Sequence, residues 1–385
     1  MNEALQSIQP SLTLAITGRA KQLKAEGRSV CNFAAGEPDF DTPAEAKGAC
    51  AAALEAGRTK YTPAVGALEL RSAIAAKLRD ENGIDVAEDQ IVVSCGAKHS
   101  LANVFLAMCN PGDEVVIPAP YWLSYPEMVR IAGGKPVFVP CTAETGLKIT
   151  PAQLEAALTP RTVALVLNTP ANPTGAVYTE EELRALGEVC VRHGVWIVAD
   201  EIYERLVYDG ARHVSIASLS PELAERTVTV NGFSKAFAMT GWRMGYAAGP
   251  QKFMRAVATV QSHTAGPPAT FAQYGGVAAL HGCEADVARM VEAFARRRQR
   301  IVELLLAIPR MRCVRPCGAF YVFPNIAGFG LDSRTFARRL LEEKHVAVVP
   351  GMAFGSDANV RLSYACGVEE IEEGLARIRD FCETL

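Results

Sequence analysis

The sequence predicts an α/β protein whose mainly parallel, seven-stranded sheet is sandwiched between helices, with a smaller α+β lobe beside it. Two observations predict the sheet. Between residues 90 and 250, short apolar runs alternate with amphipathic helical segments, the order typical of parallel sheets covered on both faces. Several runs are followed by glycine or polar residues, as at the carboxyl ends of strands, where such folds bind ligands.

Size and composition are those of a globular enzyme. A chain of 385 residues is too long for one small core. Hydrophobic residues make up 49% of the chain and charged residues 21%, which is ordinary for such a protein. The net charge of −3 gives no sign of a nucleic-acid or anionic-membrane partner. We find no apolar run of the ~18 residues that span a bilayer, and residues 1–10 lack a secretory pattern.

The cysteine and arginine patterns do not indicate a further site. The eleven cysteines include no CxxC pair and no histidine at zinc spacing, so we expect no metal site. Reduced thiols in the cytoplasm are the simplest explanation. The cluster formed by Arg296, Arg297, Arg298 and Arg300 lies in a helical pattern, and we expect it to be a solvated helix face.

Apolar periodicity places the elements in chain order. An N-terminal arm carries one helix near residues 12–26. Strands of the large sheet are expected at residues 91–94, 114–117, 135–140, 162–167, 195–199, 227–230 and 246–248. Later helices are expected at about 69–81, 98–108 and 285–307, from Thr150, from Thr179 to His193 and from about Glu369. The second lobe has strand-like segments at 319–323, 346–349 and 360–364.

Threonines predict where three helices begin. Thr42 before Pro43 is typical of an N-cap and the first helical position. Two capping boxes also occur, Thr150 with Gln153 and Thr179 with Glu182.

Candidate ligand-binding residues follow five of the predicted strands. They are Gly96 with Ala97, then Trp122, Asn172, Asp200 and Lys235. Each has an ordinary alternative: a plain βα turn, a core aromatic ring, a shaped loop, an ion pair or helix cap, and a surface lysine. Because the carboxyl ends of parallel strands meet at one edge, their coincidence favours a shared ligand site.

Two residues outside these strand ends are also candidates. Gly36 lies in a Gly-Glu-Pro-Asp turn, where the missing Cβ lets the backbone approach a ligand, although a plain turn explains it equally well. Arg361 lies in an apolar alternating strand of the second lobe, and an inward-facing arginine needs a carboxylate partner.

An amine, a carboxylate, an anion cradle and an aromatic ring together suit pyridoxal phosphate (PLP). Lys235 would hold its aldehyde as a Schiff base, since apolar walls and a second cation, here Arg243, favour the neutral amine. Asp200 would keep the pyridine nitrogen protonated, so that the ring can accept electrons. The helix after Gly96, with Arg243, would bind the phosphate, and Arg361 a substrate carboxylate.

Eight motifs, spread over nearly the whole chain, resemble those of a known family. They are AAGEPDF (34–40), KYTPAVG (60–66), APYWLSYPEM (119–128), NTPANPTG (168–175), DEIYE (200–204), NGFSKAFAMTGWRMGY (231–246), GAFYVFP (318–324) and VRLSYA (360–365). On these motifs the chain resembles the fold-type I, class I aminotransferases, most closely their bacterial and plastid aspartate and aspartate/prephenate branch. The resemblance implies PLP-dependent, ping-pong transfer of an amino group between aspartate or glutamate and a 2-oxo acid.

The resemblance also implies roles for single residues. Lys235, Asp200 and Tyr203 would be catalytic, with Lys235 as covalent anchor and proton shuttle. The cofactor would be held by Asp200 at the ring nitrogen, Tyr203 and Asn172 at the ring hydroxyl, Trp122 stacked on the ring, and Gly96, Ala97, Ser234 and Arg243 at the phosphate, joined by Tyr61 from a second subunit. Arg361, helped by Gly36, Trp122 and Asn172, would bind the substrate α-carboxylate.

Three architectural expectations follow from the same resemblance. The chain would form a homodimer with shared sites. It would divide into an N-terminal arm (1–45) belonging to the small domain, a large PLP-binding domain (46–290) and a small C-terminal domain (291–385). The peptide bonds Ala119-Pro120 and Asn172-Pro173 would be cis.

A dicarboxylic substrate needs a second cation. In the resembling branch, a lysine at the position of Lys98 and a hydroxyl near Thr13 bind the distal carboxylate, and both residues are present. A solvated helix start is the alternative for Lys98, although the helix dipole disfavours lysine there. Prephenate also carries a distal carboxylate, so this pair does not separate it from oxaloacetate. The segment 265–268 departs from the polar run frequent in relatives.

Other functions remain as alternatives. The same fold serves aminotransferases for aromatic or other neutral amino acids, and PLP lyases, although Lys98 argues against a lyase. A PLP-fold regulator would need an additional basic DNA-binding domain, for which the chain has no room. A nicotinamide dehydrogenase is disfavoured because no GxGxxG follows a strand.

Overall fold

The structure, a computed structural model, describes Ile8 and residues 12–385, with side chains described for Ile8 and residues 15–385. Its strands are β1 (Cys31–Asn32), β2 (Ile91–Ser94), β3 (Glu114–Ala119), β4 (Lys135–Pro140), β5 (Thr162–Asn168), β6 (Trp196–Asp200), β7 (Thr227–Gly232), β8 (Gly245–Ala248), β9 (Tyr321–Val322), β10 (Val346–Ala347), β11 (Val349–Pro350) and β12 (Val360–Ser363). Its helices are α1 (Leu12–Ala25), α2 (Ala44–Glu55), α3 (Leu68–Asn82), α4 (Ala97–Met108), α5 (Ser124–Ile131), α6 (Pro151–Ala157), α7 (Glu180–His193), α8 (Pro221–Ala224), α9 (Gln251–Thr264), α10 (Thr270–Gly282), α11 (Glu284–Leu306), α12 (Ser333–Lys344) and α13 (Val368–Cys382). Among the described helices, none combines the length and apolar character that a bilayer crossing requires.

The predicted seven-stranded, mainly parallel sheet is confirmed, in the order β2-β8-β7-β6-β5-β3-β4. Strands β4, β3, β5, β6 and β7 are parallel, and β8 runs antiparallel to both β7 and β2. Because β2 therefore points the same way as β7, every strand except β8 ends at one edge. At this edge, the strand register places Asn168 opposite Asp200, and Gly245 opposite both Gly232 and Ser94.

Alternate strand residues face two different layers of helices. In β3, Val115 and Ile117 pack with α4, α5 and α9, whereas Val116 packs with α6 and α7. Val166 and Leu165 of β5 divide in the same way. This alternation buries both faces of the sheet, as a parallel sheet requires.

The N-terminal and C-terminal segments pack together beside the sheet. β1 pairs in parallel with β10, and β12 pairs antiparallel with both β11 and β9. Helices α11, α12 and α13 contribute Phe294, Phe336 and Phe381 to the core over these strands. The same core reaches Tyr203 and Leu206, just after β6, so it supports the edge of the large sheet. The expected domain boundaries at residues 45 and 290 stay a prediction.

The two capping boxes are confirmed, but the predicted cap at Thr42 is wrong. Thr150 and Thr179 accept hydrogen bonds from the backbone N–H groups of Gln153 and Glu182. Helix α2 instead begins after Pro43 without a side-chain cap. The Thr42 hydroxyl donates to Ala238 O (2.9 Å) and accepts from Trp242 Nε1 (3.1 Å), so distant residues occupy it. The cis peptide bonds are Ala119-Pro120 and Asn172-Pro173, as predicted, and Thr169-Pro170.

The expectation that the arginine cluster is a solvated face is wrong for Arg298. In α11 this side chain is buried, donates to Pro316 O at 2.8 Å and forms an ion pair with Asp209 at 2.6 Å. Burial is tolerated because the charge is paired and hydrogen-bonded. Arg297 pairs with Asp39 at 2.7 Å, so this part of α11 holds the small lobe to neighbouring loops.

Candidate active site

A cavity of about 490 Å³ lies at the edge of the sheet where β5, β6 and β7 end. This volume is within the ~300–1,000 Å³ that small-molecule sites occupy. The cavity brings together most of the predicted site residues, namely Gly36, Ala97, Lys98, Trp122, Asn172, Asp200, Tyr203, Ser234, Lys235, Arg243 and Arg361. The amine at position 235 and the carboxylate at position 200 therefore open into one space.

Lys235 lies in the turn that leads out of β7. Its Nζ donates a hydrogen bond to the carbonyl oxygen of Gly36. Burial by the surrounding walls is the main cause that lowers the pKa of Lys235 to about 8, even though the side chain reaches the open cavity. The nearby cations Arg361 and Arg243 contribute in the same direction, whereas the carboxylates of Glu37 and Asp200 oppose it. A substantial share of the amine is therefore neutral, and so nucleophilic, near pH 8.

Asp200 is the last residue of β6 and is 3% exposed. Its Oδ2 accepts a hydrogen bond from the Tyr125 hydroxyl at 2.6 Å, and its Oδ1 accepts one from Ile202 N at 3.2 Å. Burial raises the pKa of Asp200 to about 6, against the opposing effect of these two hydrogen bonds. The group is therefore mainly ionised at pH 7 and can accept a hydrogen bond from a protonated ring nitrogen.

Tyr203 and Asn172 bring polar groups to the same cavity. The Tyr203 hydroxyl lies 2.9 Å from the Tyr321 hydroxyl, and either can donate. Asn172 N donates to Asn168 Oδ1 at 2.8 Å, which fixes the loop after β5. Asn172 Oδ1 accepts from Arg361 Nη1 at 3.1 Å, and among the described residues its amide nitrogen is left available to a ligand.

The residues between β2 and α4 form an anion cradle with Arg243. Gly96 is the N-cap residue of α4, with φ of 90°, and it has no side chain that could accept from the helix. Its carbonyl accepts from His99 N and Ser100 N, so among the described residues the N–H groups of Ala97 and Lys98 are left for a ligand. A Cβ at Gly96 would lie 2.6 Å from Arg243 Nη2, a distance that real Cβ atoms do not adopt. Glycine is therefore required for this approach. The hydroxyl-bearing Ser234 is buried beside the cavity.

Arg361 of β12 is a buried cation with neutral partners. Its Nη2 donates to Ala34 O at 2.9 Å, in addition to the bond from Nη1 to Asn172, and the guanidinium lies 4.4 Å from the centre of the Tyr321 ring. Within the described residues, its buried Nε has no hydrogen-bond partner. A buried charge of this kind is suited to a carboxylate ligand, because guanidinium and carboxylate pair through two hydrogen bonds.

Lys98 supplies another cation to the cavity. Its Nζ lies 4.9 Å from the centre of the Trp122 ring, within cation–π range. Partial burial, followed by the charge of Arg243, lowers the pKa of Lys98, which places two positive charges near the same space. Lys98 is nevertheless solvent-exposed in this chain, so its role at a distal carboxylate stays a prediction. The side chain of Thr13 lies outside the described residues.

Tyr61 does not reach the cavity of its own chain. It lies in the loop at 60–66, and its side chain is fully exposed. Thr270 Oγ1 donates to Lys60 O at 2.6 Å, which holds the loop against α10. The predicted contact of Tyr61 with the phosphate therefore requires a second copy of the chain.

Several cavity residues were missed by sequence reasoning. They are Asn168, Tyr125 and Tyr321, with Thr17 and Lys21 from α1. Asn168 donates to Asp200 O at 2.9 Å, across neighbouring strands. Asn168, Tyr125 and Tyr321 stand inside motifs that the sequence singles out, but only tertiary contacts give each a partner. Tyr125 follows Trp122 by three residues, a spacing that could have placed both on one side of the α5 start.

A poised amine and a buried carboxylate at the carboxyl edge of an α/β sheet, beside an anion cradle, define the class of enzymes that use PLP. Residues 28–378 match a family model described as aminotransferase class I and II. The chain is 49% identical to the aspartate aminotransferase of Bacillus subtilis, with 98% of this chain and 97% of that protein covered. It is also 49% identical to an aspartate/prephenate aminotransferase of Cereibacter sphaeroides, with 100% and 99% covered.

A solved structure agrees. Aspartate aminotransferase from Thermus thermophilus, determined with maleate, matches with a TM-score of 0.95 at 45% identity, covering 100% of this chain and 99% of that one. The chain therefore belongs to the class I and II aminotransferases. Its fold type I architecture and its dependence on PLP, both predicted from the sequence, are confirmed. The close approach of Gly96 to Arg243 and the ionised Asp200 fit this cofactor.

Proposed function

We propose that the chain moves an amino group between aspartate or glutamate and a 2-oxo acid, oxaloacetate or 2-oxoglutarate, in the two half-reactions of a ping-pong mechanism. The observation that supports this proposal is that one cavity contains two cations, each with its own set of neighbouring groups. Arg361 is buried among neutral partners, and Lys98 lies over Trp122. A monocarboxylic amino acid needs one of these charges, whereas a dicarboxylic substrate can use both.

The buried Arg361 is suited to the α-carboxylate, which every amino acid carries. Its orientation is fixed by Asn172 and Ala34, so the carboxylate would be bound in one direction. Gly36, whose carbonyl accepts the bond from Lys235, borders the same place without a side chain. Binding at Arg361 would thus bring the substrate Cα close to the Lys235 amine.

The remaining residues have roles toward the cofactor in this proposal. When bound, PLP supplies an aldehyde that takes up the amino group and a ring that accepts electrons. Asp200 would bind the ring nitrogen, Tyr203 and Asn172 the ring hydroxyl, and Trp122 the ring face. Gly96, Ala97, Ser234 and Arg243 would bind the phosphate. Lys235, with its pKa of about 8, would take and return the proton at the substrate Cα.

Prephenate is a second candidate acceptor. It carries a distal carboxylate that Lys98 could bind, and one relative covered over 99% of its length is named an aspartate/prephenate aminotransferase. The same two cations would serve both substrates. Arogenate, the amino acid made from prephenate, therefore belongs in any test of specificity.

The site would be completed in a homodimer. Tyr61 is fully exposed and lies outside the cavity of its own chain, which supports a role in a neighbouring site. In the proposed dimer, Tyr61 of the partner subunit would donate its hydroxyl to the phosphate. The eleven free thiols support a reducing, cytoplasmic location for this dimer.

A half-reaction panel tests the proposal. The PLP-loaded protein is mixed with aspartate, glutamate, arogenate, alanine and phenylalanine in turn, and the absorbance change of the cofactor is followed. We expect the dicarboxylic amino acids to react fastest. In Lys98→Met their rate constants should fall about 10- to 150-fold, the range for a hydrogen bond to a charged group, while alanine changes little.

The control variant is Lys135→Met, which removes an exposed lysine away from the cavity. It should leave every rate unchanged. Faster reaction of alanine or phenylalanine in the unmodified protein would contradict the proposed substrate class. An equal loss for all amino acids in Lys98→Met would remove Lys98 from distal carboxylate recognition.

A further inference from the structure

The Tyr125 side chain is among the largest that are fully buried in the described chain. It lies in α5, and its hydroxyl donates to Asp200 Oδ2 at 2.6 Å. Its ring and the Trp122 ring form a T-shaped pair, with ring centres 5.3 Å apart and planes at 83°. Tyr125 also borders the cavity, so the phenol and the carboxylate lie together at its wall.

We propose that Tyr125 is a positioning residue, whose hydroxyl holds the Asp200 carboxylate in the orientation and charge state that the cofactor ring nitrogen requires. This inference rests on the proposed function, in which Asp200 binds that nitrogen. Tyr125 does not need to touch the ring in order to act. It acts through Asp200, and its own place is fixed by its burial and by Trp122.

The first part of the argument is geometric. A carboxylate offers about four lone pairs, and here Tyr125 and Ile202 N–H occupy one on each oxygen. These two donors prevent rotation of the carboxylate about its Cβ–Cγ bond. The free lone pairs are then left for the cavity, where a ring N–H could meet them. A single donor would leave the carboxylate free to turn.

The second part concerns the proton shared by a carboxylate and a pyridine nitrogen. A short hydrogen bond from a neutral phenol to a carboxylate stabilises the charged form and lowers its affinity for a proton. The groups near Asp200 oppose one another, since Glu201 favours protonation and Lys235 disfavours it. Burial is the largest cause that raises the pKa of Asp200, and the hydrogen bond from Tyr125 is the largest that lowers it. Tyr125 therefore favours the state in which the shared proton stays on the ring nitrogen.

The test begins with the full chain free of cofactor. The pKa of Asp200 is measured by ¹³C NMR with carboxyl-labelled aspartate, and its signal is assigned by its loss in Asp200→Asn. In Tyr125→Phe we expect this pKa to rise by about one pH unit or more, the size expected for a hydrogen bond to a charged group. An unchanged pKa would overturn the proposal.

The matched control is Tyr178→Phe. Tyr178 is also buried, and its hydroxyl accepts a hydrogen bond from Ile149 N at 3.1 Å, away from Asp200. This variant loses a buried hydroxyl of the same type, so it should leave the pKa of Asp200 unchanged. An equal rise in both variants would mean that the effect is a general loosening of the fold, and would contradict a specific role of Tyr125.

A second measurement uses the PLP-loaded protein with a ¹⁵N-labelled ring. In the unmodified chain the ring nitrogen should give the shift of a protonated pyridine, and Tyr125→Phe should move it toward the unprotonated value. If the unmodified chain gives the unprotonated value, the proposed role of Asp200 fails, whereas the titration without cofactor still decides the role of Tyr125.

A second variant, expected to shift the pKa of Asp200 in the opposite direction, provides a test if Tyr125→Phe does not fold. Replacement of Tyr125 by 3,5-difluorotyrosine keeps the ring and the hydroxyl but makes the phenol a stronger donor. The pKa of Asp200 should then fall below its value in the unmodified chain. A pKa that stays the same or rises would refute the coupling.

Discussion

Lys235 has a cost for the folded chain as well as a use in catalysis. Its charged form is disfavoured by the walls of the cavity, so the pKa of this amine falls from 10.5 to about 8. Between these two pH values the unfolded chain holds a proton that the folded chain has released. The chain free of cofactor is thus less stable than it would be with a neutral side chain, and this penalty is complete below pH 8.

We therefore expect Lys235→Met to stabilise the cofactor-free chain below pH 8. The gain should not exceed about 3 kcal/mol, and it should fade between pH 8 and pH 10.5 as the amine of the unfolded chain loses its proton. Urea unfolding midpoints at several pH values measure it. Lys252→Met, at an exposed position of α9, serves as the control. A gain that persists unchanged above pH 10.5 would point to packing instead of charge.

Arg361 and Lys98 should differ in which substrates they affect. Arg361→Gln removes the charge that every α-carboxylate would meet, so kcat/KM should fall for all amino acids alike. The loss should be at least about 30-fold, the lower end for truncating a buried, hydrogen-bonded charge pair. Steady-state kinetics with aspartate and with phenylalanine measure it. A loss confined to aspartate would contradict this assignment, because it would mean that Arg361 binds the distal carboxylate and not the α-carboxylate.

At the scale of elements, the turn between β2 and α4 depends on one glycine. Gly96→Ala would strain a left-handed backbone and push the Arg243 guanidinium away from the cradle. We expect the dissociation constant of PLP to rise about tenfold, because one hydrogen-bonded charge is displaced. Fluorescence titration of the cofactor-free chain measures it.

Gly57→Ala is the matched control for this change. Gly57 also has a left-handed backbone, with φ of 70°, but an added Cβ would meet no atom of the described residues within 4 Å. Gly57→Ala should lose about 1 kcal/mol of stability, and Gly96→Ala should lose more, because its backbone, with φ of 90° and ψ of 159°, lies in a region that only glycine adopts readily. Only Gly96→Ala should bind PLP more weakly. Equal PLP affinities in the two variants would contradict the role of the cradle.

Local sequence rules predicted the elements whose causes are local. The capping boxes at Thr150 and Thr179 are correct because cap and partner are three residues apart. The cap at Thr42 failed because Ala238 and Trp242, nearly 200 residues away, occupy its hydroxyl. The prediction that Arg298 is solvated was wrong for the same reason, since its partners come from other loops. Helices α5, α8, α9, α10 and α12 were not predicted.

At the scale of the whole molecule, the strand ends predicted most of the cavity, because a parallel sheet places its carboxyl ends together. Asp200 and Lys235 meet there for this reason. Tyr125 could not be assigned from sequence, since its partner Asp200 is 75 residues away. Arg361 reaches the cavity from β12, and its neutral partners become visible only in the folded chain.

Hybrid dimers test whether two chains share a site. Tyr61→Ala should weaken PLP binding, and Lys235→Ala should abolish turnover, so each variant is poor alone at limiting PLP. After mixing and exchange of subunits, half of the dimers are hybrids, and each hybrid has one intact site. We therefore expect about a quarter of the sites to recover. No recovery despite exchange, followed by mass spectrometry, would contradict a shared site.

The central claim is that the amine of Lys235 holds PLP in the cavity. The most direct measurement is to treat the PLP-loaded protein with borohydride, digest it and locate the added cofactor mass by peptide mass spectrometry. The mass should appear on the peptide that contains Lys235, and it should be absent in Lys235→Ala. Its appearance on another lysine, or on none, would contradict the account.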